Sequence, residues 1–206
     1  LQIRTLIFAF LITALAPVAA QAQDSRRCLV SGLEGDGAQF EIGGHGSPLG
    51  LGSLPKGTEA ITTGADTRLE ITCLDGLVLT VGPDTRIMLG ELQGMTGPES
   101  SLVMELLRGI VGVVAPYRNW DVFEIRTPVA IASVRSTEWL VGHNAVTGTS
   151  VYVRKGRVAV GSPSTDLELD EGEGVALAGT RSVGTVPDWD SRRLVAAQNA
   201  LGFGWK

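Results

Sequence analysis

One local pattern returns along this chain more often than any other. A short apolar run leads into a glycine, and alternating apolar residues lead out. It reads LPKGTEAIT around Gly57, CLDGLVLTV around Gly76, LLRGIVGVV around Gly109, VRKGRVAVG around Gly156 and LDEGEGVALA around Gly172. Each instance reads as strand, tight turn, strand, because glycine reaches the positive φ that tight turns need and period-two alternation suits a half-buried strand. Asp75-Gly76 is the sharpest case, since type I′ hairpins favour that dipeptide; Arg108-Gly109 and Lys155-Gly156 are weaker versions. The spacings are unequal, which makes this a recurring hairpin rather than a fixed-period repeat. The pattern predicts an all-β fold, with short antiparallel strands packed as a two-sheet sandwich or a short β-roll.

Composition agrees. Glycine is abundant (27 of 206 residues) and aromatics are scarce at 5%, while hydrophobic residues reach 44%, enough for one sizeable core. GPDTRIML (82–89) adds a turn and strand, with Asp84-Thr85 placed to cap the turn through side-chain hydrogen bonds. SLVMELLRG (101–109) suits a helical turn or a buried strand, and its β-rich surroundings favour the strand. A strand is expected near Cys28 to Val30, then irregular loop. The tail differs in kind. Asp188 or Asp190 caps a helix from about Ser191 to Ala200, Gly202 ends it, and Leu194, Val195, Gln198 and Leu201 share one face. That face is expected to pack back on the sheet. The chain thus divides into an export signal (1–22), an N-terminal strand and loop (23–49), a β domain (50–178) and a C-terminal tail with a short helix (179–206).

The export reading rests on Arg4, the nearly unbroken apolar run from Leu6 to Leu15, and APVAAQA. Cleavage after Ala20-Gln21-Ala22 leaves Gln23 as the first mature residue. The run is well short of the ~20 residues that cross a bilayer. Ser25, Arg26 and Arg27 precede Cys28 where a lipidation signal needs small apolar residues. A soluble periplasmic or secreted protein is expected, with no membrane span in the mature form. Export makes a disulfide chemically accessible. Cys28 and Cys73 are either bridged or two free thiols, and the bridge is favoured because an exposed thiol is a liability in an oxidising compartment.

Chemistry is sparse. A formal net charge of −5 without a Lys/Arg block argues against a nucleic-acid partner. Two cysteines and two histidines (His45, His143) lie far apart without metal-ligand spacing, so no metal and no cofactor are expected. His45 and Ser47 form a tempting pair, but in a loop-like stretch and without a positioned acid. The carboxylates of DEGE (170–173) read as an exposed turn. No GxSxG, Walker or HExxH pattern is present, and EGDG and GGHG lack the following helix that would cradle a phosphate.

TGADTRLEITCLDGLVLTVGPDTRIML, IRTPVAIASVRSTEWLVG and VRKGRVAV together resemble the FecR domain, the periplasmic module named for a ferric-citrate sensor. Thr63-Gly64, Asp75-Gly76, Gly82-Pro83, Gly109, Thr127-Pro128, Arg135, Thr137, Glu138 and Gly156 take the places of the family pattern, in order, across about residues 50–178. Ser136 departs from it, standing where the family has Gly. FecR-type sensors carry a cytoplasmic anti-sigma segment and a membrane helix. Neither is visible here, so the resemblance implies a stand-alone exported domain that binds an envelope protein or a surface glycan and catalyses nothing. The competing reading is a secreted hydrolase or carbohydrate-active enzyme with a sparse site, which a cleft of convergent ionisable groups would reveal.

Within IRTPVAIASVRSTEWLVG the polar residues Arg135, Ser136, Thr137 and Glu138 interrupt an apolar strand that resumes at Trp139. As one regular strand it would set Ile131, Ser133, Arg135, Thr137 and Trp139 on one face and Ala132, Val134, Ser136 and Glu138 on the other. A bulge at Ser136-Thr137 would shift that phase. The apolar first half is expected mid-fold. Thr127, Pro128, Arg135, Ser136, Thr137, Glu138 and Trp139 are the candidate binding residues, and the expectation for them is architecture, with Arg135 tying a strand end to neighbouring backbone or acids.

Overall fold

The computed structural model describes residues 28–52, 58–90, 92, 101–116, 120–134, 137–163, 165–178 and 189–205. The export signal, the Gln23 start, the Gly57 turn and the pair Arg135-Ser136 fall outside these residues. The strands run in chain order as β1 (Cys28–Glu34), β2 (Gln39–Ile42), β3 (His45–Pro48), β4 (Ala60–Thr62), β5 (Arg68–Cys73), β6 (Val78–Val81), β7 (Arg86–Met88) and β8 (Ser101–Val114). There follow β9 (Val122–Arg126), β10 (Ile131–Val134), β11 (Glu138–Asn144), β12 (Gly148–Lys155), β13 (Val158–Ser162), β14 (Thr165–Leu169) and β15 (Gly174–Leu177). Helix α1 (Ser191–Leu201) and a 3-10 turn (Phe203–Trp205) close the chain.

The all-β expectation holds, as two facing layers joined through one strand. Layer A is ordered β1-β5-β6-β8-β11-β12-β15, and layer B β14-β13-β10-β9-β8-β7-β4-β2-β3. Every pairing is antiparallel except β8 with β9. Strand β8 belongs to both layers: its first half pairs β7 and β9, its second half β6 and β11. Alternate residues of both layers point into one core. Val111, Val113, Trp139, Val141 and Ile71 come from A, and Leu102, Met104, Phe123, Ile125 and Ile87 from B. Trp139 of A meets Phe123 of B edge-on at 6.3 Å, and Trp120 leans on Phe123 at 4.9 Å.

Two folded hairpins flank β8. In the first, β5 and β6 pair in layer A and their outer ends bend over to pair as β4 and β7 in layer B. In the second, β11 and β12 pair in A and continue as β10 and β13 in B. The same device closes both bends. The Thr63 hydroxyl donates to the Gly82 carbonyl (2.7 Å) and accepts the Thr85 N–H (3.0 Å). The Thr137 hydroxyl donates to the Arg157 carbonyl at 2.9 Å. Each bend takes the chain out of one hydrogen-bonded ladder, and a short hydroxyl side chain satisfies the backbone groups released there.

This topology corrects the reading of the turns. Asp75-Gly76 does sit in a hairpin, but among the residues of that loop only Gly76 has positive φ (89°). Cys73 receives the Gly76 N–H at 3.0 Å and donates to Leu77 at 2.9 Å, giving a three-residue loop with glycine in the bulge position, not a type I′ turn. Gly156 and Gly172 lie where the chain leaves one layer for the other. Gly109 lies inside β8, at the point where that strand changes layer, with φ at 92°. A Cβ there would come within 2.1 Å of Thr85 Oγ1, the hydroxyl that accepts the Ile110 N–H at 3.0 Å. The expected irregular loop after Val30 is also more ordered than its glycines suggest, because β2 and β3 form a hairpin around Gly43-Gly44.

Cys28 and Cys73 are bridged, as cross-strand partners on β1 and β5. The tail helix carries the expected caps. Asp190 accepts the Arg193 N–H at 2.7 Å and Gly202 donates to the Gln198 carbonyl at 2.9 Å. It packs back on the outer side of layer A, where Leu201 and Trp205 cover Leu140. Val195, expected on the packed face, is instead exposed. Among the described residues no helix is long and apolar enough to cross a membrane.

Candidate functional site

The interrupted strand is two strands on two layers. Ala132 and Val134 point inward from β10, whereas Trp139 and Val141 point inward from β11. The inward set changes from even to odd residues across the polar insert, so the phase shift is real and arises at a change of layer. The first half is not mid-fold on both sides, since Ile131 faces outward and is exposed.

Thr137 is buried and tied twice: its hydroxyl to Arg157 and its carbonyl to the Ala115 N–H at 3.0 Å. Glu138 pairs with Arg154 at 2.9 Å. The Arg154 guanidinium also donates to the Gly204 carbonyl (2.8 Å) and lies 5.0 Å over the Trp205 ring. That ring rests on Gly112, where a Cβ would be 2.4 Å away, and its N–H reaches Thr80 at 3.1 Å. Glu138 therefore fixes the arginine that clamps the tail onto layer A. Sequence reasoning missed Arg154, Thr80 and Trp205, which meet through contacts with the tail spanning 50 and 125 residues.

Thr127-Pro128 occupies the β9–β10 connection. The Thr127 hydroxyl accepts the Ala130 N–H at 3.0 Å and lies 2.7 Å from the Thr149 hydroxyl. Thr149 in turn is 2.9 Å from His143 Nδ1. This chain links the two layers, and burial pushes the His143 imidazole below its ordinary pKa. His45 stands on edge strand β3, exposed, with Nδ1 2.9 Å from the Gly43 carbonyl. Among the described residues no three His, Cys, Asp or Glu converge as a metal site.

Open space lies on the outer side of layer B. Three contiguous hollows of 540, 380 and 480 Å³ follow β10 and β13. Their floor is low: Ser133 stands opposite Ala159, and Ile131 opposite Gly161. Taller side chains wall it, Val122 and Glu124 on β9 and Asp166 and Glu168 on β14. Trp120 and Arg157 close one end, Pro128 and Pro163 the other. Glu124 pairs with Arg126 at 2.9 Å. Arg157 bridges Asp170 (2.7 Å) and Glu168 (3.2 Å), and those two acids hold its guanidinium above the ordinary arginine range. Thr137 lies at the Trp120 end and Thr127 at the Pro128 end, so the motif residues bracket this trough without forming its floor.

The FecR protein family model matches residues 59–159. The chain is a FecR-domain protein. The match starts at β4 and ends within β13, so it holds both folded hairpins and the trough floor up to Ala159. Two crystal structures of a provisionally assigned anti-sigma factor from Parabacteroides distasonis ATCC 8503 are similar to this chain at 20% identity, with TM-scores of 0.50 and 0.49. Each comparison covers 60% of this chain and 56% of the other, so the FecR-domain chain matches little more than half the length of that protein. A comparison with curated proteins finds no match.

Proposed function

We propose that this FecR-domain protein is an exported, non-catalytic binding module of the cell envelope, and that its ligand is a protein rather than a surface glycan. The observation that carries the reading is the difference between the two outer sides of the fold. Layer A is covered by the chain's own tail, whereas layer B presents a trough. Glu124, Arg157, Glu168 and Asp170 around that trough are engaged in ion pairs on its rim rather than converging on a point, an arrangement that suits recognition more than acid–base chemistry. The protein reading draws on side-chain type. Glycan sites use exposed aromatic faces, and the exposed large apolar residues described here are aliphatic, Ile131 in the trough among them.

The test is affinity capture from envelope extract with the purified chain, paired with a broad esterase, peptidase, glycosidase and phosphatase screen. The expected result is retention of a defined protein and no turnover. Turnover that disappears in His45→Ala or Ser47→Ala would replace this reading with the hydrolase.

A further inference from the structure

Shape and charge at the layer B trough are specific enough to describe its occupant. We infer that the trough takes an extended, cationic polypeptide segment with an apolar side chain at one end; this rests on the protein-binding reading above.

Shape comes first. Ser133, Ala159 and Gly161 are small residues on the two middle strands, and the rows Glu124–Ser133–Ala159–Glu168 and Arg126–Ile131–Gly161–Asp166 cross four strands in register. The result is a channel running along the strand direction, open outward. Neighbouring strands lie about 4.8 Å apart, so the outer two of four are roughly 14 Å apart, room for one extended chain with its side chains. Strands of four or five residues, at about 3.3 Å each, hold a segment of about five residues plus its ends.

Charge decides which chain. Asp121, Glu124, Asp166, Glu168 and Asp170 surround the channel and face Arg126 and Arg157. Arg157 and Arg126 are occupied by their own acids, and Asp166 has no cation among the described residues. The surplus is negative along the β14 wall, where a Lys or Arg side chain of the occupant reaches Asp166 and Glu168. Such rim pairs add orientation and on-rate more than affinity. At the Pro128, Ile131 and Pro163 end, Arg126 stands opposite Ile131 and is held by Glu124, and the apolar surface of Ile131 and the two prolines accepts an aliphatic side chain.

The experiment is NMR titration of the chain with a synthetic octapeptide alternating Lys and Ala and ending in Val-Leu, against the same peptide with Glu in place of Lys. Saturable binding of the Lys peptide is expected, with shifts confined to β9, β10, β13 and β14. Asp166→Asn with Glu168→Gln should weaken it about tenfold. Ala159→Trp, an exposed position that fills the channel without touching the core, should abolish binding while the melting temperature stays put. Equal binding of the Glu peptide, or full binding to Ala159→Trp, overturns the assignment. Capture of an envelope protein by Ala159→Trp at wild-type yield would leave the protein-binding reading standing and remove the trough from it. Retention of envelope glycan instead of protein would remove both.

Discussion

At residue scale, the two described residues of the polar insert, Thr137 and Glu138, are tied to neighbours across the fold. Thr137 bonds neighbouring backbone, and Glu138 pairs with Arg154. Glu138→Ala should free Arg154 and loosen the Gly204 and Trp205 contacts. A partly exposed pair of this kind contributes about 1 kcal/mol. In a chain of this size that lowers the melting temperature by about 2–4 °C, measurable by calorimetry. His143 gives a second prediction. Burial lowers its pKa, so the unfolded chain takes up a proton more readily than the folded one. Its contribution to stability is therefore full above about pH 6.5 and is lost as pH falls through the range below. Denaturation midpoints between pH 5.5 and 7.5 should slope in wild type and slope less in His143→Gln. The sequence singled out Thr137 and Glu138 but not their partners, because Arg154 and Arg157 become neighbours only once β12 and β13 fold back.

At element scale, the glycine punctuation was legible and its meaning was not. A glycine with positive φ looks alike in sequence whether the chain reverses within one layer, as at Gly76, or passes between layers, as at Gly109 and Gly156. Which ladder the next strand joins is decided by distant pairing. Helix α1 was read nearly to the residue because its caps are local: Asp190 and Gly202 act within four residues of themselves. Only the exposure of Val195 escaped, since it depends on how the helix lies on layer A. Gly109→Ala tests the layer change. Both φ and the Thr85 hydroxyl oppose a Cβ, so the loss should be about 3 kcal/mol or more by chemical denaturation, well above an ordinary Gly→Ala change in a strand. The disulfide tests the β1–β5 edge. The bridge spans 45 residues, for which chain entropy gives about 4 kcal/mol, less any compensation in the reduced chain. Cys28→Ala with Cys73→Ala should lower the denaturation midpoint accordingly while peptide mapping of the native chain finds the pair linked.

At the scale of the whole molecule, the two layers have different fates. The tail occupies the outer side of A through Leu201, Trp205 and Arg154, and the outer side of B carries the trough. Composition and glycine pattern were enough for the all-β class, and the ordered motifs from Thr63-Gly64 to Gly156 carried the family resemblance. The trough was not legible, because its small floor residues belong to β10 and β13, which are separated by β11 and β12 in sequence and meet only across the folded hairpin. N-terminal sequencing of the exported form should begin at Gln23; a retained segment from Arg4 to Ala22 in the membrane fraction would contradict export. The distinction between faces is tested most directly by photocrosslinking in native cells, with a benzophenone side chain placed either at Ala159 on layer B or at Ala196 on the exposed side of α1. The expected result is one discrete protein adduct from Ala159 and none from Ala196. Adducts from Ala196 alone would show that the tail, not the trough, meets the partner.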